Sequence, residues 1–99
     1  LYLDRCSIEK IVPGWASSLA SAGYKPFAKL IYTGITYNTL TSTAVDDFIN
    51  EFYNYCKIGY GYNSFAIDLS HNTISAPPTS ASSTARTAFN NMKWRIITD

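Results

Sequence analysis

Ninety-nine residues contain one histidine, one methionine, two cysteines and no run of like charges. A single histidine rules out a multi-histidine metal site. Eight Lys/Arg stand against seven Asp/Glu, for a formal charge of +1. Without clustered cations the chain lacks the footprint that phosphate-backbone binding requires, so no nucleic-acid partner is expected. No apolar run reaches the roughly 20 residues of a membrane-spanning helix. No Asn-x-Ser/Thr sequon occurs, because Asn38-Thr39-Leu40, Asn63-Ser64-Phe65 and Asn72-Thr73-Ile74 all miss it. Adjacent basic residues and an initiator methionine are also lacking, and the start Leu1-Tyr2-Leu3 reads as that of a processed product cut out at dibasic sites. No glycine-rich turn follows a strand-like run, which argues against a nucleotide-binding parallel sheet. No internal repeat is visible.

What is present describes one globular domain over residues 1–99, with 46% hydrophobic and 15% charged residues. The run from Ser7 to Gly23 predicts a helix in two pieces, broken at Pro13-Gly14. Phe27 to Tyr37, rich in β-branched and aromatic residues, predicts a strand, with Gly34 marking a bulge or a close backbone approach. Val45, Phe48, Ile49, Phe52 and Cys56 share one apolar helical face, which predicts a helix from Ala44 to about Lys57. Thr43 and Asp46 are spaced for a capping box there, with Asp in place of Glu. Phe65, Ile67 and Leu69 alternate with polar partners in a strand over Ser64–Ser70. His71–Ser83, with Pro77-Pro78 at its centre, reads as a mobile or exposed loop. A short helix from Ala85 to Met92 and a closing strand from Lys93 to Thr98 follow, and Leu1–Leu3 is a candidate further strand. The expected fold is α+β, a two-layer α/β sandwich with helices on one face of a mainly antiparallel or mixed sheet.

Cys6 and Cys56 are the only cysteines, and an even count in a short processed chain favours a disulfide. Such a link would add about 4 kcal/mol in the chain-entropy model. Two reduced, buried thiols are the alternative. Either way Cys56 lies on the apolar helix face, where a thiolate nucleophile is disfavoured. Asp68, Ser70 and His71 carry the letters of a hydrolase triad, but triad members normally converge from separated segments. On a strand Asp68 and Ser70 share a face while His71 points away, so His71 reads as an exposed histidine at a strand end. No catalytic residue, cofactor or metal is expected, and the chain is not expected to be an enzyme.

Aromatic residues are abundant: eight tyrosines, five phenylalanines and two tryptophans. Tyr53, Tyr55, Tyr60 and Tyr62 crowd the end of the central helix. They are either the rim of a small core or a contact surface, since tyrosine offers apolar area with a polar tip. Trp94 is open to the same two readings. These five are the candidate target contacts, and His71 is the candidate pH-sensitive group.

The segment VDDFINEFYNYCKIGYGYNSFAIDLS, residues 45–70, resembles the helix–cysteine–turn–strand unit of the small α/β-sandwich killer toxins of fungi. That group includes the smut-fungus toxin subunits and the salt-mediated killer toxin of yeast. The resemblance implies a secreted, extracellular antifungal toxin acting on the wall or plasma membrane of competing yeast, by membrane permeabilisation. It implies self-association or a second toxin subunit as further partners. The competing expectation is a secreted effector that binds a host protein or cell-wall component without killing.

Overall fold

The computed structural model describes residues 3–22, 32–56 and 66–99. Among the described residues three helices alternate with three short strands: α1 (Trp15–Ser21), β1 (Tyr32–Gly34), α2 (Ser42–Cys56), β2 (Ala66–Asp68), α3 (Ser83–Asn91) and β3 (Arg95–Ile97). A 3₁₀ turn at Ser80–Ser82 leads into α3. The strands form one sheet in the order β1-β2-β3, and both pairings are parallel. The chain is therefore α+β as expected, but the described sheet is parallel, not mainly antiparallel or mixed. Each strand pair is joined through a whole helix, the crossover that parallel pairing requires. Helix–strand alternation in the sequence was the sign of this; the lack of a glycine-rich turn spoke only against one ligand type.

Residues 3–5 extend the sheet past β1. Leu3 N–H donates to Gly34 O at 2.8 Å and Arg5 N–H to Thr36 O at 3.0 Å. Ile35 N–H donates to Asp68 O and Tyr37 N–H to Ser70 O with the same spacing. The register is thus Leu3, Ile35, Leu69 side by side, then Arg5, Tyr37, His71. Aligned this way, Leu3-Asp4-Arg5-Cys6-Ser7-Ile8, Ile35-Thr36-Tyr37-Asn38-Thr39-Leu40 and Leu69-Ser70-His71-Asn72-Thr73-Ile74 are one motif used three times. The repeat that inspection of the sequence missed lies at the ends of the strands. Gly34 sits in unbroken register opposite Asp68, so it marks no bulge.

Ser7–Val12 is not helical. Its backbone is committed elsewhere: the N–H groups of Cys6 and Ile8 both donate to Asn38 Oδ1, and Ile8 O accepts from Thr39 N–H. Only the second predicted piece forms, as α1. Glu51 on α2 accepts the N–H groups of Gly14, Ala16 and Ser17, which satisfies the orphan donors at the start of α1. Gly14 has φ +101°, the left-handed region open to glycine.

The core gathers Val45, Phe48, Ile49 and Phe52 of α2 with Ile35, Ile67, Leu69, Phe89 and Trp94. Phe89 and Trp94 stack at 5.1 Å, and Phe52 meets both edge-on at 6.2 and 6.3 Å. The capping residue of α2 is Thr41, whose Oγ1 accepts Ala44 N–H. Asp46 lies inside the helix and is 4% exposed. It accepts from Thr79 N–H, from the Thr79 hydroxyl and from Ser82 Oγ at 2.6 Å, while Arg86 donates to Ser82 Oγ and Thr79 O. Burial pushes the Asp46 carboxyl up, but these hydrogen bonds and the Arg86 charge outweigh it and hold it below the ordinary range. The 71–83 segment is therefore fastened at Asp46. It is a bound connection, not a loose loop.

Candidate functional site: the carboxyl edge of the sheet

Ligands of parallel α/β sheets bind outside the carboxyl ends of the strands. At that edge the backbone is unusual. Arg5, Tyr37 and His71, aligned on neighbouring strands, all have positive φ, at 58°, 55° and 61°. Such a conformation is uncommon for any residue with a side chain, and each instance costs on the order of 1–3 kcal/mol. Strain of this kind collects where a side chain must be aimed.

The three side chains form a ladder. The Arg5 guanidinium carbon lies 4.1 Å from the centre of the Tyr37 ring, and the His71 ring stacks on Tyr37 at 4.6 Å with planes 18° apart. Those separations match the spacing between strands, about 4.8 Å. Strand order puts Arg5 and His71 on opposite faces of Tyr37. Tyr37 is nevertheless 46% exposed.

Beneath His71, Asp68 and Ser70 complete a chain of hydrogen bonds. Ser70 Oγ lies 2.6 Å from Asp68 Oδ1 and 2.8 Å from His71 Nδ1, and Ser70 N–H also donates to Asp68 Oδ1. The three residues whose proximity was discounted on a regular strand do meet, because the left-handed turn at His71 swings its ring back over Ser70. The order differs from a hydrolase triad, however. Serine sits between the acid and the imidazole, and it is 4% exposed.

Asp99 closes the edge. Its carboxylate accepts from the N–H groups of His71 at 2.7 Å, Asn72 and Ala76, and from Asn72 Nδ2. Burial pushes this carboxyl up, and the Asn72 amide with the three backbone donors outweighs that and holds it low. Asp4 accepts from Thr36 N–H and Oγ1. Beside the ladder, the two equivalent turns enclose a groove of about 330 Å³ between Leu40, Thr41, Ile74 and Ser75, with Ile74 81% exposed. Among the described residues no cluster of three metal-ligating side chains occurs, and no helix is long and apolar enough to cross a membrane.

Of the residues singled out from sequence, His71 stands at this edge and is exposed. Trp94 is 3% exposed, a core residue stacked on Phe89, which removes it from the surface. Tyr53 is half-buried with its ring edge-on to Phe89 at 5.7 Å. Tyr60 and Tyr62, and the side chains of Tyr55 and Cys56, lie outside the described residues. Cys6 is a free, exposed thiol whose Sγ lies 3.3 Å from Asp4 O. The disulfide expected from the sequence is not made at the Cys6 end in this structure. Arg5, Tyr37, Asn38, Asn72 and Asp99 were not singled out; the recurrence of Ile-Thr-Tyr-Asn-Thr-Leu as Leu-Ser-His-Asn-Thr-Ile was the signal for three of them.

Set against protein-family models, curated proteins and solved structures, the chain matches none of them. The likeness to killer toxins therefore rests on the motif of residues 45–70 and on the element order over about residues 27–98.

Proposed function

We propose that this chain is a secreted, non-catalytic recognition domain that acts at a cell surface through the carboxyl edge of its sheet. One observation carries the reading: three strained residues, Arg5, Tyr37 and His71, hold a cationic and aromatic ladder at the solvent boundary. Strain held in register on neighbouring strands supports a use for the side chains it aims. Tyrosine and arginine are also the side chains most enriched at contact surfaces. The resemblance of residues 45–70 supports the killer-toxin setting, with the wall or membrane of a competing yeast as target. A two-layer arrangement accords with this. Two successive parallel crossovers of the usual right hand would put α2 and α3 on one face, and the packing of α2 against α3 supports that reading.

The test uses purified protein and a panel of yeasts, from about pH 4 to about pH 7, where carboxylates and histidine change charge. Saturable cell binding that Arg5→Ala and Tyr37→Ala weaken is the expected result. Binding with growth inhibition and dye leakage identifies a permeabilising toxin; binding with intact membranes identifies a non-killing effector. Neither binding nor inhibition across the panel sinks the proposal.

A further inference from the structure

His71 is constrained from three directions: Nδ1 by Ser70, one ring face by Tyr37, and its backbone N–H by Asp99. The remaining ring nitrogen, Nε2, has no partner among the described residues, and the side chain is exposed. The hydrogen-bond chain also decides where the imidazole proton sits. A serine hydroxyl has one hydrogen to give, and an ionised carboxylate can only accept. With Asp68 Oδ1 2.6 Å away, the Ser70 hydrogen goes to Asp68, so Ser70 Oγ faces His71 with a lone pair. Nδ1 must then be the N–H, at 2.8 Å, and in the neutral ring Nε2 carries the lone pair.

We propose that His71 Nε2 is a fixed hydrogen-bond acceptor, and that it receives the hydroxyl hydrogen of a ligand held at the carboxyl edge. This rests on the recognition role proposed above and names the chemistry of its contact. Tyr37, stacked on the His71 ring, flanks the site on one side. The role is that of a preset hydrogen-bond acceptor whose ring plane, height and tautomer are settled before the ligand arrives, which lowers the entropic cost of binding.

Three measurements test this. In protein labelled with ¹⁵N-histidine, at about pH 8 where an unperturbed histidine is neutral, the one imidazole should show a protonated Nδ1 and a bare Nε2. Ser70→Ala and Asp68→Ala should each shift the ring towards Nε2–H; an Nε2–H ring in the unsubstituted protein overturns the proposal. Diethyl pyrocarbonate, which acylates a bare imidazole nitrogen, should modify His71 in the folded protein, and a ring that resists it until unfolding also overturns the proposal. In the cell-binding assay His71→Gln keeps an acceptor near the Nε2 position, whereas His71→Asn keeps only a donor near Nδ1. The Asn variant should lose about tenfold in affinity, the scale of one hydrogen bond, with Gln near the parent; equal loss in both overturns the assignment. Absence of cell binding by the parent protein sinks the recognition role, and the spectroscopic and acylation results then judge Nε2 independently.

Discussion

Asn38 Oδ1 accepts the N–H of Ile8 at 3.0 Å, and Asn72 Oδ1 accepts the N–H of Leu40 at 3.0 Å, the same bond made one strand further along the sheet. Each asparagine fastens the turn of the preceding strand to its own. Asn38 does more: it also accepts from Cys6 N–H and donates to Leu3 O and Thr36 O, and it is 1% exposed. Asn72 Nδ2 donates to Leu69 O and to Asp99. The strained ladder stands on these two clamps, since Tyr37 and His71 immediately precede them.

Asn38→Ala leaves two partly buried N–H donors, of Cys6 and Ile8, and the Leu3 carbonyl without partners. An unsatisfied buried group costs about 1–3 kcal/mol, so the loss should be about 3 kcal/mol, read as a lower urea midpoint with unchanged slope. Asn72→Ala, at a more exposed site, should cost about half as much. Equal small losses in both variants contradict the clamp.

Asp46 makes stability depend on acid in a definite direction. Its folded-state pKa lies below the ordinary 3.8 of an unfolded aspartate, so its contribution is complete above that value and fades as the pH falls through the folded one. Asp99 has the same sign. Thermal midpoints should therefore be flat from about pH 7 to pH 5 with respect to these groups and fall below about pH 4. Asp46→Asn should lower stability near neutrality and flatten the acid limb; an unchanged acid limb refutes the assignment.

Lys93 ends α3 with φ +64°. The N–H of Trp94 donates to Phe89 O, that of Lys93 to Asn90 O, and Trp94 stacks on Phe89. This is the Schellman pattern, in which the left-handed residue is usually glycine. Lys93→Gly should raise stability by about 1 kcal/mol by relieving that strain. Lys93→Val should lower it, and a melting curve for each variant decides the matter.

Cys6 should react with iodoacetamide in the folded, unreduced protein, because its thiol is free and exposed. Cys6→Ser should leave the thermal midpoint nearly unchanged. Protection of Cys6 that disappears on reduction, with a mass two hydrogens below the reduced form, would instead establish the disulfide.

Local chemistry along the chain was enough for α2 and α3, though not for Ser7–Val12, which is not helical. Val45, Phe48, Ile49 and Phe52 recur at helical spacing, and that periodicity alone sets which face of α2 is buried. The strand around Ile67 and Leu69 and the helix ending at Met92 were legible for the same reason. Tertiary structure decided strand direction, because parallel and antiparallel partners make the same demand on an alternating strand and differ only in what the connection allows. It decided Trp94, whose alternation suited surface and core alike until Phe89 stacked on it. It also decided the candidate site. Arg5, Tyr37 and His71 lie far apart in sequence, and only the register of neighbouring strands brings their side chains to strand spacing.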